Sequence, residues 1–188
     1  VVDTFSGATP LGQVATHTGG ELVLQNAVGE PLSTLDYFLG LIPGSIGETS
    51  VLAILIGAVI LLWTGIASWR VILSVFVGGL VMGGIAYLFP SPVYPGSSLS
   101  PVDQLCLGVA FAAVFMATDP VTGARTRLGQ YIYGFLIGVI AILIRIYNTG
   151  YPEGAMLAVL LMNVFAPLID YFVVEGNIKR RLKRASKA

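Results

Sequence analysis

Three ionisable side chains interrupt apolar stretches of this chain, and each is a candidate for chemistry inside or beside a membrane. Asp119 lies in "ATDPVTG", Asp170 lies in "APLIDYF", and Arg145 lies near the end of a further apolar stretch. An ionisable group at membrane depth is costly, so it is usually paired or lines a path for ions. The two carboxylates are therefore candidates for a Na⁺ or H⁺ route. The alternative for Asp119 is turn chemistry with Pro120, and for Asp170 it is a partner such as a buried Arg or Tyr.

Other side chains limit the chemistry that is available. Arg145 either snorkels its guanidinium to the membrane surface or pairs with an anion there. Cys106 is the only cysteine and His17 the only histidine. We therefore expect no disulfide within the chain. We also expect no cysteine-ligated iron–sulfur cluster and no zinc site. No dense cluster of oxygen ligands is visible, so the sequence predicts no metal site.

The composition explains why these residues must be positioned by membrane helices. Of the 188 residues, 55% are hydrophobic and 11% are charged. A soluble domain carries about a quarter charged residues, so the sequence predicts a membrane protein. Five apolar segments can be identified, of which four are near the length that spans a bilayer as a helix and the third is shorter. They run over about residues 51–69, 71–89, 104–118, 129–147 and 154–174.

The connections between these segments alternate in charge, and this alternation predicts a topology. Residues 1–50 contain no Lys or Arg, whereas six basic residues lie within 179–188. Arg70 marks one basic connection, and Arg125 with Arg127 marks another. The positive-inside rule then places the basic connections in the cytoplasm and residues 1–50 outside, in the periplasm of a Gram-negative bacterium. We expect an all-α fold with an extracytoplasmic segment over 1–50, a five-helix bundle over 51–178 and a basic cytoplasmic tail over 179–188.

Local signals refine this expectation. Ser100, followed by Pro101 and Asp103, predicts a cap that extends the third helix to 101–118. Ser45 and Glu48 have the spacing of a capping box for the first span. "STLDYFLGLIPG" predicts a short amphipathic or re-entrant helix. Two pairs of glycines four residues apart, in the second and fourth segments, predict close helix packing.

The most specific pattern lies in the segment that is predicted to be outside. "DTFSGATPL" places Asp3 ahead of the run Ser6-Gly7-Ala8-Thr9, which Pro10 follows. These residue types favour a loop.

The pattern resembles the flavinylation motif of bacterial redox-driven ion pumps. Together with "GSIGETSVLAILIGAVILL", "FMATDPVTGARTRLGQYIYG" and "NVFAPLIDYF", it resembles RnfD of the Rnf ion-translocating electron-transport complex. The related NqrB of the sodium-pumping NADH:quinone reductase belongs to the same group. The resemblance covers nearly the whole chain as the C-terminal half of such a protein, so we expect an N-terminal half with further helices outside it.

This resemblance implies a covalent cofactor. In the family, a flavin transferase joins FMN through its phosphate to a threonine hydroxyl, which corresponds to Thr9 here. Ser6, Gly7 and Ala8 would lie beside the phosphate, because small residues let the backbone approach it and backbone N–H groups can donate hydrogen bonds to an anion. Asp3 would be recognised by the transferase. Candidate flavin contacts are Phe5 and Arg145.

The implied function is electron transfer between carriers, coupled to Na⁺ or H⁺ movement. Implied partners are other subunits of an Rnf-type complex, including a second FMN-bearing subunit, together with the flavin transferase and the bilayer, and no nucleic acid. The chain would be part of an oxidoreductase of the bacterial inner membrane and not a complete enzyme. The alternative is a secondary transporter or channel subunit without redox chemistry, because the bundle and its acids fit both.

Overall fold

Helices form the described part of the chain. The computed structural model describes residues 9–17, 23–25, 29–45, 47–91, 94–148, 150 and 153–185. Within these residues there is no strand, only two isolated bridges. The helices are α1 (Pro10–Thr16), α2 (Thr34–Leu39), α3 (Val51–Trp63), α4 (Trp69–Leu88), a 3₁₀ turn (Pro95–Ser98), α5 (Pro101–Gln104), α6 (Arg127–Tyr147) and α7 (Ala155–Ala185). The predicted all-α class is confirmed.

Three of these helices are long and apolar enough to cross a membrane, namely α4, α6 and α7. Helix α3 has 13 residues and ends at Trp63, six residues before the predicted end of the first span. An α-helix rises 1.5 Å per residue, so α3 covers roughly 20 Å. Among the described residues, three of the five predicted spans therefore have clear counterparts as single long helices.

Glycines bring α4 and α6 together at backbone distance, as their spacing predicts. A Cβ atom on Gly138 would lie 2.6 Å from the Gly79 nitrogen and would also collide with the Val75 carbonyl. A Cβ atom on Gly134 would lie 2.7 Å from the Val71 carbonyl. No side chain fits at these positions, because the neighbouring atoms belong to the partner backbone. The main core is built on this contact and extends to α7.

Helix α7 extends beyond its predicted end. It is continuous from Ala155 to Ala185 and has Pro167 inside it. The predicted boundary between bundle and basic tail, at 178/179, thus falls within a helix. An ion pair four residues apart, with Lys179 Nζ 2.6 Å from Glu175 Oε1, lies across that boundary. Helix-favouring Lys and Arg residues, which also suit a helix C-terminus, explain the extension.

The capping residue that was predicted for the first span is wrong. Ser50, not Ser45, caps α3: its Oγ accepts a hydrogen bond from the Ala53 N–H at 3.3 Å. The Glu48 N–H instead donates to the Ser45 carbonyl, within the turn that precedes the helix. The Glu48 side chain is thereby available for a different contact. By contrast, the predicted Ser100 cap is confirmed, since Ser100 Oγ accepts from the Asp103 N–H at 3.1 Å.

The third predicted span is a broken helix, which we define as residues 101–116. It begins as α5 and continues through two stretches of wide, π-type turns, Leu105–Val109 and Ala112–Met116. Leu107 and Gly108 leave the helical conformation, and Gly108 has a φ of 85°. Only glycine adopts that conformation without strain. The sequence predicted one continuous helix here because an apolar run does not reveal a break of two residues.

The connections gather at two ends of the bundle. At one end, Ser68 Oγ donates to Gln130 Oε1 at 2.9 Å, which places the starts of α4 and α6 side by side. Asp170 of α7 bonds to the same end through Arg125 and Thr126. The three connections that were predicted to be cytoplasmic therefore lie together. The other end carries Thr9, Glu48 and the break in the broken helix, which we define as Leu107 and Gly108.

Candidate functional site

Thr9 lies at the amino end of α1 and caps it. Its Oγ1 accepts a hydrogen bond from the Gly12 N–H at 3.1 Å, and the Thr9 side chain is half-buried. Pro10 takes the first helical position, which favours this start. Leu11 and Val14 bury themselves in a second core formed with α2, α3 and the broken helix. The candidate attachment residue is therefore held by a packed helix and has its hydroxyl oxygen at the helix end.

The segment around Thr9 is further fixed by a side-chain bridge. Gln13 of α1 receives the Gln25 N–H on its Oε1 and donates its Nε2 to the Gln25 carbonyl, both at 2.9 Å. The other members of the predicted flavinylation motif, Asp3, Phe5, Ser6, Gly7 and Ala8, lie outside the described residues.

A small cavity joins Thr9 to the break in the broken helix. It has a volume of about 30 Å³. Its walls include Thr9, Pro43, Glu48, Leu107, Gly108 and Glu153. A cavity of this size accommodates about one or two water molecules and no aromatic ring system. An aromatic ring attached to Thr9 would therefore not fit within the cavity that the described residues enclose.

Arg145 stabilises the break from within the protein. Its side chain is 3% exposed, and its two terminal nitrogens donate to the carbonyl oxygens of Gln104 and Leu107, each at 2.5 Å. A break in a helix leaves carbonyls without partners, and in a membrane protein these must be satisfied internally. Arg145 satisfies two of them. Of the two alternatives for Arg145, snorkelling to the membrane surface is therefore wrong, because the guanidinium turns inward.

Glu48 also lies beside the break. A Cβ atom on Gly108 would collide with Glu48 Oε1 and would lie 3.9 Å from Arg145 Nη2. Burial raises the pKa of the Glu48 carboxyl above its usual value, the charge of Glu153 raises it further, and Arg145 opposes both. Sequence reasoning missed Glu48 and Gly108, because the first looked like a capping residue and the second like an ordinary glycine in an apolar run.

Asp119 lies in the turn after the broken helix and is engaged locally. It accepts hydrogen bonds from the Val121 N–H at 3.0 Å and from Thr122 Oγ1 at 2.6 Å. These bonds lower the pKa of the Asp119 carboxyl, with the Thr122 bond as the main cause. The geometry corresponds to the turn chemistry that was one of the two predicted alternatives.

Asp170 fastens the loop before α6 to α7. Its carboxylate accepts from the Arg125 N–H at 2.8 Å, the Thr126 N–H at 3.0 Å and Thr126 Oγ1 at 2.6 Å. Thr126 in turn caps α6 through the Gly129 N–H. The partners of Asp170 are thus backbone amides and a hydroxyl instead of the predicted Arg or Tyr side chain. Asp119 and Asp170 lie at the same end of the bundle, away from Thr9.

The long apolar helices, their glycine contacts and the broken helix define a helical membrane protein. The chain belongs to the NQR2, RnfD, RnfE family, whose model matches residues 1–179. It is 50% identical over 183 residues to the NqrB subunit of the Na(+)-translocating NADH-quinone reductase of Klebsiella pneumoniae (strain 342), covering 97% of this chain and 44% of that protein. The NqrB subunit of Yersinia pestis is 49% identical over 189 residues, and that of Haemophilus influenzae (strain PittEE) is 47% identical over 186. These alignments cover 97% and 98% of this chain, and 44% and 45% of the relatives. The chain thus spans less than half the length of these relatives, and the predicted family is confirmed.

Proposed function

We propose that this chain is the flavin-bearing part of a membrane subunit in a redox-driven ion pump. FMN would be joined to Thr9 by a phosphoester, and the subunit would pass electrons between carriers while Na⁺ or H⁺ is translocated. The main support is the family membership, together with relatives named as NqrB subunits of a sodium-translocating NADH-quinone reductase. Within the family, these relatives favour a complex of that type over an Rnf-type complex.

The position of Thr9 suits a covalent phosphoester. Its oxygen is half-buried, lies at the end of a helix and has one N–H as a hydrogen-bond donor. An ester oxygen at this place remains an acceptor for the Gly12 N–H, so attachment need not disrupt the cap. Because the cavity beside Thr9 is too small for the flavin ring, the ring is proposed to lie outside it.

The residues of this chain would hold and orient the group, and FMN, when bound, would supply one- or two-electron transfer. Thr9 would hold it covalently, and Ser6, Gly7 and Ala8 are proposed to accompany the phosphate. Asp3 is proposed as the residue that the flavin transferase recognises, and Phe5 as a ring contact. Arg145 is fully engaged with backbone carbonyls, so we propose for it an indirect role, in which it holds the break that borders the cavity.

The ion path is proposed for the opposite end of the bundle. Asp119 and Asp170 lie there, beside Arg125, and each accepts hydrogen bonds that stabilise its charged form. They are proposed as acids on the Na⁺ or H⁺ route. The proposed setting is the bacterial inner membrane, with Thr9 in the periplasm and the end of α7 in the cytoplasm. The proposed partners are the other subunits of the complex, a second FMN-bearing subunit and the flavin transferase.

The second candidate function is a transporter or channel subunit without redox chemistry. The observation that favours it is the broken helix, because discontinuous helices are typical of transporter sites. The two functions differ in whether Thr9 carries a flavin.

Variants at Thr9 distinguish the two functions. The full-length protein is produced together with its complex and a flavin transferase, and covalent flavin fluorescence is measured after denaturing electrophoresis. Thr9→Asn retains a capping oxygen but has no hydroxyl, so α1 is kept and the fluorescence is lost. Thr16→Ala removes an exposed threonine from the same helix and should leave the fluorescence unchanged. Fluorescence that persists in Thr9→Asn, or a wild-type protein without any, contradicts the redox function.

A further inference from the structure

A groove between α6 and α7 combines an apolar floor with two arginines. It has a volume of about 750 Å³, within the range of ligand sites. Ile132, Ile169, Phe172 and Val173 line its apolar part. Arg127 and Arg180 also line it, and both side chains are exposed.

The inner part of the groove is apolar, and its basic residues begin at the start of α6. Asp170 bonds to Arg125 and Thr126, so residue 170 of α7 lies level with the start of α6. Ile132 lies within α6, and Ile169 is level with its start, on the side of the apolar core. Arg180 lies ten residues beyond Asp170, about 15 Å further along α7. The groove is therefore apolar at its inner part, near Ile132 and Ile169, and carries basic residues from Arg127 to Arg180 beside Phe172 and Val173.

Among the described residues, no acidic side chain compensates the charge in the groove. No acidic residue is among its described lining residues. On the packed elements, the Asp170 carboxylate is occupied by the loop before α6, and Glu175 is paired with Lys179. Neither Arg127 nor Arg180 forms an ion pair with another described residue. An anion is thus the complementary occupant of this end.

We propose that the groove binds one anionic phospholipid, with its phosphate between Arg127 and Arg180 and an acyl chain along Ile132 and Phe172. A free phosphate would leave the apolar part empty, and a neutral lipid would leave the arginines without a counter-charge. Basic sites between membrane helices suit anionic head groups, which concentrate in the cytoplasmic leaflet. The basic end is the one that the sequence predicts to be cytoplasmic. The site requires only the membrane location and not the proposed redox function.

Lipid retention by the purified complex tests this site. The complex is equilibrated in nanodiscs of phosphatidylcholine with a small fraction of phosphatidylglycerol, and bound lipids are counted by native mass spectrometry. The variant is Arg127→Gln with Arg180→Gln. The matched control is Arg125→Gln with Arg181→Gln, which removes the same charge from adjacent positions that do not line the groove. Each arginine at an anionic surface strengthens binding about fivefold, so the affinity for phosphatidylglycerol should fall roughly 30-fold in the variant.

The outcomes distinguish a phospholipid bound in the groove from other occupants of the groove. Loss of one phosphatidylglycerol in the groove variant alone supports the proposal. Equal retention in the wild type and the groove variant, or an equal loss in the control, overturns it. A photo-crosslinking amino acid at Ile132 in the otherwise unchanged complex provides a second measurement, which does not depend on the arginine variants. A lipid adduct supports the proposal, and an adduct to another polypeptide overturns it, because the groove is then a protein interface.

Discussion

Arg145→Met removes the two donors that satisfy the break in the broken helix. Methionine occupies the apolar path of the arginine side chain but leaves the carbonyls of Gln104 and Leu107 without their charged partner. The replacement also removes the positive charge that lowers the pKa of the Glu48 carboxyl. Stability should therefore fall, although Arg145 is one side chain among many in a large apolar core.

The magnitude follows from the number of groups left unpaired. A buried acceptor without a partner costs about 1–3 kcal/mol, so two carbonyls give a loss of roughly 2–6 kcal/mol. Lysine at this position keeps the charge but presents a single point donor instead of a planar fork. Arg145→Lys should therefore lose about half as much as Arg145→Met.

The assay is equilibrium denaturation of the purified full-length protein in detergent, followed by near-ultraviolet circular dichroism. Arg127→Met is the matched control, because Arg127 is exposed at the other end of the same helix and should change stability by less than about 0.5 kcal/mol. The reasoning fails if the stability of Arg145→Met stays within about 1 kcal/mol of the wild type. It also fails if Arg145→Lys is as stable as the wild type, because the guanidinium is then not what holds the break.

Three further predictions concern the packing, the break and the loop before α6. Gly138→Ala forces a methyl group against the backbone of α4 and should destabilise by about 3 kcal/mol in a denaturation assay, whereas Gly84→Ala, with no atom within 4 Å of its Cβ position, should be neutral or slightly stabilising. Glu48 has a raised pKa, so the folded protein keeps its proton to higher pH than the unfolded chain, where the value is about 4.5. Stability should therefore decrease as the pH rises through this window, and Glu48→Gln should abolish that decrease in denaturation midpoints measured across it. Asp170→Asn weakens the hydrogen bonds that hold the loop before α6, which contribute about 2 kcal/mol. The loop should then open more often, so trypsin cleavage after Arg125, followed by gel electrophoresis, should increase roughly 30-fold.

Each of these predictions has an opposing outcome. Equal stability of the two glycine variants would show that the α4–α6 contact yields without cost. An unchanged pH profile in Glu48→Gln would show that this carboxyl does not titrate in the folded protein. Cleavage that rises equally in Glu175→Gln, a carboxylate paired elsewhere on α7, would show a general loosening of the helix and not release of the loop.

The sequence allowed the helical class and the tightest packing contact to be predicted, because both depend on local patterns. Apolar runs predicted α4, α6 and most of α7, and the glycine spacing predicted a close approach that Gly134 and Gly138 make. The Ser100 cap depends on three neighbouring residues, so it too was predicted correctly.

The break and its partners could not be predicted, because they depend on contacts between residues far apart in the chain. Gly108 lies in an apolar run that reads as a continuous helix, and Arg145 reaches it from a position 37 residues away. Glu48 was missed for the same reason, since it lies 60 residues before Gly108 and its spacing from Ser45 matched a helix cap. Asp170 was predicted as an acid on an ion path, and that role stays a prediction. Its hydrogen-bond partners are two backbone amides and the Thr126 hydroxyl, which no side-chain pattern reveals.

The mass of the Thr9 peptide from the complex, matured with its flavin transferase, tests the central proposal most directly. The proposed function predicts that the peptide carries the mass of one FMN less one water, and that fragmentation places the addition on Thr9. An unmodified Thr9 in a complex that otherwise contains its flavins, or an addition on a different residue, would contradict the account.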